Sequence, residues 1–187
     1  MKAPQYKPSQ GKILISEPFL GDFYFRRSVV LLADYSEEGS FGLILNKPLE
    51  VKINDVLKDF PAFDTKLFLG GPVQTESLFM LHTLGKKIEA SMEVMKGLFW
   101  GGNFDQLKEM ILENQVSPSE VRFYIGYSGW EPKQLDQELE KHSWVVSTTK
   151  LDEVLGKSAG NLWKNTLKKM GSEYAQWINY PPDPILN

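Results

Sequence analysis

The chain has 187 residues, of which 42% are hydrophobic and 12% aromatic, ample for a packed core, and this excludes extended disorder. A formal net charge of −3 leaves no overall basic field of the kind that drives non-specific DNA binding. The absence of cysteine excludes a disulfide framework, a thiolate zinc site, an iron–sulfur cluster and a cysteine nucleophile.

Residues 1–10 carry two prolines and no apolar period, and read as a flexible lead-in with no signal-peptide core. Residues 11–187 read as a single domain that includes a C-terminal helix and tail. Lys12–Ser16 is a first strand, and Pro18–Phe25 a loop. Ser28–Tyr35 is an almost unbroken aliphatic run, the pattern of a strand buried on both faces. Ser36-Glu37-Glu38-Gly39 is a turn by composition, and Phe41–Asn46 the returning strand, so the pair is expected to form a central antiparallel hairpin. Asn54–Phe60 reads as a short helix, Lys66–Leu69 and Ser77–His82 as strands, and residues 86–98 as one or two more. Asn103 is placed to cap a helix whose apolar face is Phe104, Leu107, Met110 and Ile111. Beyond Pro118, Val121–Ile125 is a strand. Pro132 suits the first turn of the next helix, with Leu135 and Leu139 facing inward. Trp144–Val146 is a late strand, and Leu162–Met170 a last amphipathic helix. The order is irregular rather than a repeating βαβ, which points to an α+β fold with a mixed sheet. No apolar run reaches the length of a membrane span, so a soluble cytoplasmic protein without membrane association is expected.

Two glycine signatures stand out, each after a strand. The first is Leu69-Gly70-Gly71-Pro72-Val73. It lacks the ending of a phosphate loop and the spacing of a dinucleotide fingerprint. It reads either as a tight turn or as a nest of bare backbone N–H groups for an anion. The second is Ile125-Gly126-Tyr127-Ser128-Gly129-Trp130. It resembles the nucleophile elbow Gly-x-Ser-x-Gly, but its last glycine falls one residue early. A triad also needs a histidine, and only His82 and His142 exist. His82 reads as a structural residue at a strand end or as a base, and Trp130 as core or as a cleft wall. Arg26 reads as a salt-bridge or capping residue, or as a contact for an anionic ligand.

Taken together, Gly11–Pro18, Asp22, Phe25–Leu32, Gly42–Leu49, Gly70–Val73, Leu81-His82 and Gly126–Trp130 with Gln134-Leu135 and Glu138-Leu139 resemble the AlgH/YqgE family over about residues 11–147. The resemblance implies a bacterial, cytosolic α+β protein. Its mixed, largely antiparallel, bifurcated sheet would curl into a pseudo-barrel with flanking helices. Many members carry a transcriptional-regulator label, but no helix-turn-helix is evident here and the acidic chain gives direct DNA contact no physical support. Members usually have alanine in place of Ser128, which weakens a nucleophile role for it.

The function expected first is a regulatory or binding protein. It would hold a small ligand or protein partner in a cleft between the two glycine turns, lined by Arg26, Asn46, Gly70, Gly71, His82, Tyr127 and Trp130. No catalytic residue, metal or cofactor is assigned. The alternatives are a small enzyme using His82 with a carboxylate such as Glu138, and a direct DNA-binding regulator. If the two signatures serve a site, they must converge in space.

Overall fold

The computed structural model describes residues 6–181. The first half of the expected lead-in and the end of the tail, from Pro182, lie outside the described residues. Among the described residues ten strands form one branched sheet: β1 (Ile13–Ser16), β2 (Val29–Ser36), β3 (Gly39–Ile44), β4 (Pro48–Lys52), β5 (Lys66–Leu69), β6 (Val73–His82), β7 (Ser91–Met95), β8 (Leu98–Gly101), β9 (Val121–Trp130) and β10 (Trp144–Ser147). The main path runs β10-β1-β2-β3-β9-β6-β8-β7, with β5 and β4 branching from β9.

The aliphatic run in β2 is buried residue after residue from Val29 to Ala33, because both faces of the sheet are covered. β2 and β3 pair antiparallel as the composition requires, with a bulge at Ala33. The fork arises at β9. The second half of β9 pairs with β3, from Ser40 against Trp130 to Gly42 against Ser128. Its first half pairs on that edge with β5, the one parallel ladder among the described strands, from Leu67 against Phe123 to Leu69 against Ile125. β5 is thus a wedge between β9 and β4, the continuation of β3. The sheet curls, and Gln10 bridges its far sides by donating to Ala33 O (3.0 Å) and Glu93 O (3.4 Å). It does not close into a barrel: no ladder joins β7 to β1, β2 or β10 among the described strands.

Among the described residues six helices flank the sheet over three apolar clusters. α1 (Ile53–Val56) and α2 (Phe104–Leu112) cover one with Ile53, Leu107 and Ile111 against Phe123. Asn103 caps α2 by accepting from Asp105 N and Gln106 N, both at 3.1 Å, an arrangement worth about 1 kcal/mol. α3 (Gln134–Glu140) presses Leu135 onto Leu14, Val30, Ile44, Trp130 and Trp144. The helices α4 (Leu151–Val154), α5 (Leu162–Lys169) and α6 (Ser172–Ala175) cover the rest, with Trp163 donating its indole N–H to Ser16 O at 3.0 Å.

Several elements differ from the sequence reading: α4 and α6 were not expected, so Leu162–Met170 is not the last helix, and Pro132 lies ahead of the α3 N-cap Lys133 rather than in the helix's first turn. β4 begins at a proline and carries no alternation of buried residues, so nothing local announced it. The helix expected over Asn54–Phe60 is one turn, because Leu57 turns extended. The second glycine signature is not a turn after a strand: it is the second half of β9 itself.

Candidate functional site

The two glycine signatures touch. β5 lies on one edge of β9 and β6 on the other, since Phe123, Tyr124 and Ile125 pair with both. Between them the chain crosses the face of β9 at Gly70-Gly71-Pro72, directly against Gly126-Tyr127-Ser128. A Cβ on Gly71 would meet Tyr127 C at 2.3 Å and Ser128 N at 2.5 Å, and one on Gly126 would meet Gly71 O at 2.4 Å. Two backbones this close admit only glycine. Gly126 also has φ +67°, open to glycine and costly for other residues. The crossing is closed by hydrogen bonds. Gly70 N–H donates to Ile125 O (2.8 Å), and Gly70 O accepts from Ile44 N–H (2.9 Å) and from the fully buried Ser128 Oγ (3.0 Å). The Gly70 amide is therefore engaged within the fold, and Ser128 is a buried strut, not a nucleophile.

Beyond the crossing, the end of β9 opens onto a groove of about 650 Å³. Its walls come from the end of β2, the hairpin turn, β3, β6, β8 and β9 itself. Phe41, Phe79, Trp100 and Tyr127 line it, all half-buried. Phe41 meets Trp100 edge-on at 5.2 Å, Trp100 meets Phe79 at 5.4 Å, and Phe79 meets Tyr127 at 5.4 Å. Phe41 sits across from Gly129 in the ladder. Because Gly129 has no side chain, the space beside Phe41 stays open, and a Cβ there would lie 3.4 Å from the Tyr127 ring and 3.6 Å from Val73. Asp34, Glu38 and Glu131 also line the groove, and no lysine or arginine does.

Trp130 borders the groove but is almost wholly buried. It stacks on Phe25 at 6.0 Å and meets Trp144 edge-on at 6.0 Å. Glu138, from α3, holds this wall. One carboxylate oxygen accepts from the indole N–H of Trp130 (3.0 Å) and of Trp144 (2.7 Å), and the other accepts from Gln134 (2.9 Å). Buried indoles need such partners, and an ionised acceptor makes the bonds strong. Tyr35 fixes the hairpin to α3 through a 2.6 Å bond to Asp136, which pushes its hydroxyl up to about 12.

Of the remaining residues expected in the cleft, His82 and Arg26 lie elsewhere and Asn46 is engaged within the fold. His82 is fully buried and pairs with Val121, at the far end of β9 from Trp130, roughly 30 Å away along the strand. Its Nδ1 accepts from Leu84 N–H (3.3 Å), so Nε2 carries the proton and donates to Gly101 O (3.0 Å). Burial holds its pKa below 6.5, against the opposing pull of the Gly101 bond. With both nitrogens engaged, His82 cannot serve as a cleft base, and its proposed partner Glu138 is committed to the indoles. Asn46 lies beside the first signature but is also engaged. Its Oδ1 accepts from Val29 N–H (2.8 Å), and its Nδ2 donates to Arg27 O (2.9 Å). Arg26 is in the loop before β2, near Lys47, where burial lowers the lysine pKa. Only Tyr127 and Trp130 of the seven line the groove. Phe41, Phe79, Trp100, Asp34 and Glu38 were not singled out. Each looks like an ordinary strand or turn residue, and their meeting depends on strand order, which no local pattern encodes.

Among the described residues no three histidine or acidic side chains cluster to hold a metal, and no helix is long and apolar enough to cross a membrane. The AlgH-like family model matches residues 13–175. The UPF0301 protein BF2109 of Bacteroides fragilis is 46% identical over 96% of this chain and 92% of its own. A UPF0301 protein of Cytophaga hutchinsonii is 45% identical over 96% and 99%. Among solved structures, the protein DIP2367 of Corynebacterium diphtheriae superimposes with a TM-score of 0.77 at 22% identity, covering 93% of each chain. The AlgH protein of Pseudomonas aeruginosa does so with 0.73 at 23% identity, covering 95% and 98%. These two likenesses speak for the fold alone.

Proposed function

The chain belongs to the AlgH-like family, and we propose that it acts in the cytoplasm as a regulatory binding protein whose ligand or partner seats in the aromatic groove at the end of β9. The observation that carries this reading is four half-buried rings around an open space beside Gly129, next to a crossing that fixes the backbone beneath them. Its size lies within the range of small-molecule sites. The enzyme alternative loses support because His82 and Ser128 are buried and bonded within the fold. Direct DNA binding gains none, since carboxylates and no cation line the groove. Any regulatory output would then pass through the bound ligand or a protein partner.

The test is a fragment and metabolite screen on isotope-labelled protein, followed by amide chemical shifts. Binders are expected to perturb Phe41, Tyr127 and Gly129 together and to raise the melting temperature. Binders that perturb only other surfaces would overturn the reading. A mobility-shift titration at physiological salt is expected to give affinity for duplex DNA no tighter than about 10⁻⁴–10⁻⁶ M.

A further inference from the structure

We infer that the groove selects an organic cation: a small molecule with an alkylated ammonium group on a compact apolar body. This rests on the reading that the groove is the binding site, and adds the chemistry of what enters it.

Two features of the walls converge on that class. The rings come first. Phe41, Trp100, Phe79 and Tyr127 touch in sequence, and Tyr127 returns to Phe41 at 6.3 Å, so the four close a circuit. Three of these contacts are edge-on and the fourth, Phe79 on Trp100, is tilted by 35°, so the half-buried rings turn both edges and π-faces to the groove, and the negative faces attract a cation, most of all one too weakly hydrated to prefer water. The charge comes second. Asp34, Glu38 and Glu131 line the same space, and none has a lysine or arginine of the described residues within ion-pair distance. The groove therefore carries uncompensated negative charge beside aromatic faces. An anion would be repelled there. A neutral apolar ligand would satisfy the rings and leave the carboxylates idle. A bare metal ion would find no converging set of three carboxylates among the described residues. An alkylated ammonium meets both demands at once.

The experiment compares choline with 3,3-dimethylbutan-1-ol, which has the same shape with carbon in place of the charged nitrogen. Both are titrated into the full-length protein to millimolar concentration, following the amides of Phe41, Phe79, Tyr127 and Gly129. Choline is expected to saturate these shifts about tenfold more tightly than the neutral isostere, within the reach of a cation–π and carboxylate site. The preference should shrink at high salt. In the double variant Asp34→Asn, Glu38→Gln it should fall to a few-fold with the melting temperature unchanged. Trp100→Phe, which keeps a ring, should weaken choline more than the isostere. Equal affinity for the two probes would overturn the cation assignment while leaving the groove as the binding site. Inorganic phosphate binding more tightly than choline would also overturn it. If neither probe, nor any compound of the wider screen, perturbs these amides, both the assignment and the site fall together.

Discussion

The two ends of β9 are built from similar materials and meet different fates. At the Val121 end, His82 stacks on Phe99 with ring centroids 5.8 Å apart and planes 13° from parallel. Its nitrogens are bonded, and Leu84, Ile88 and α2 close over the neighbouring core. At the Trp130 end, four rings and three carboxylates also stand close, but Gly129 leaves a gap where a side chain would be. β6 bulges out of register between Val73 and Leu78 instead of covering it. Coverage, more than residue type, separates the two. A polar group under a closed roof is a strut that neutralises its own burial, whereas the same kind of group beside an opening has free valence for something else.

The sharpest break in this comparison should come at the boundary between the ends. Gly126→Ala imposes φ +67° on alanine and drives its Cβ to 2.4 Å from Gly71 O and 2.9 Å from Val73 O. A loss of at least about 3 kcal/mol is expected in denaturant unfolding. A loss below about 1 kcal/mol would mean the crossing can slide, and the rigid floor of the groove would go with it. At the closed end, His82→Ala should cost about 2–4 kcal/mol, through a cavity and two abandoned backbone groups. Binding in the groove should be untouched, which would sharpen the contrast between strut and site.

His82 also sets a pH dependence. Its folded pKa is depressed, so as pH falls below about 6.5 the unfolded chain takes up the proton first. The stability contributed by the neutral imidazole is full above that value and is lost as pH drops toward the folded pKa, by up to about 1.4 kcal/mol per pH unit. The difference between wild type and His82→Ala should therefore narrow in acid. A difference that stays constant from pH 7.5 to 5 would show that the imidazole takes up a proton as easily in the fold as in the unfolded chain.

Glu138→Ala should cost about 2–3 kcal/mol by stranding the indole N–H groups of Trp130 and Trp144. Glu138→Gln should cost about half as much, since its amide oxygen can still accept from both indoles, more weakly than a carboxylate, while the bond from Gln134 is lost. The smallest effect belongs to the open end. Gly129→Ala meets only ordinary contacts at 3.4 and 3.6 Å and should change stability by less than about 0.5 kcal/mol, yet weaken groove binding severalfold by filling the gap. A large loss of stability there would make the groove a packed element like the other end.

Legibility in the sequence followed the range of the signal. The Val29–Ala33 run, the Asn103 cap and the α3 face carry their message within a few residues, and each formed where the pattern put it. That the two glycine signatures had to meet if they shared a role was also readable, but the manner of meeting was not. A glycine in a turn and a glycine under a crossing chain look alike in one dimension, and only the strand order distinguishes them. The same blindness hid Phe41, Phe79 and Trp100, which come from three strands. It also let His82 and Asn46 stand as site residues, because a histidine or amide at a strand end does not announce whether its partners are backbone or ligand.

The placement of β9 bears on how the protein is made. During synthesis β3, β5 and β6 all leave the ribosome before the strand that joins them, and the segment Gly70-Gly71-Pro72 has nothing to cross until Gly126 arrives. Ile13 likewise waits for Ser147. At about 5–20 residues per second, the unpaired edges of the early strands stand open for seconds, long enough to pair wrongly with another nascent chain. A ribosome stalled short of β9 would hold a chain with the β1-β2-β3 and β6-β8-β7 ladders available and nothing to join them. A chain whose central strand arrives late therefore carries its aggregation-prone edges through most of its own synthesis.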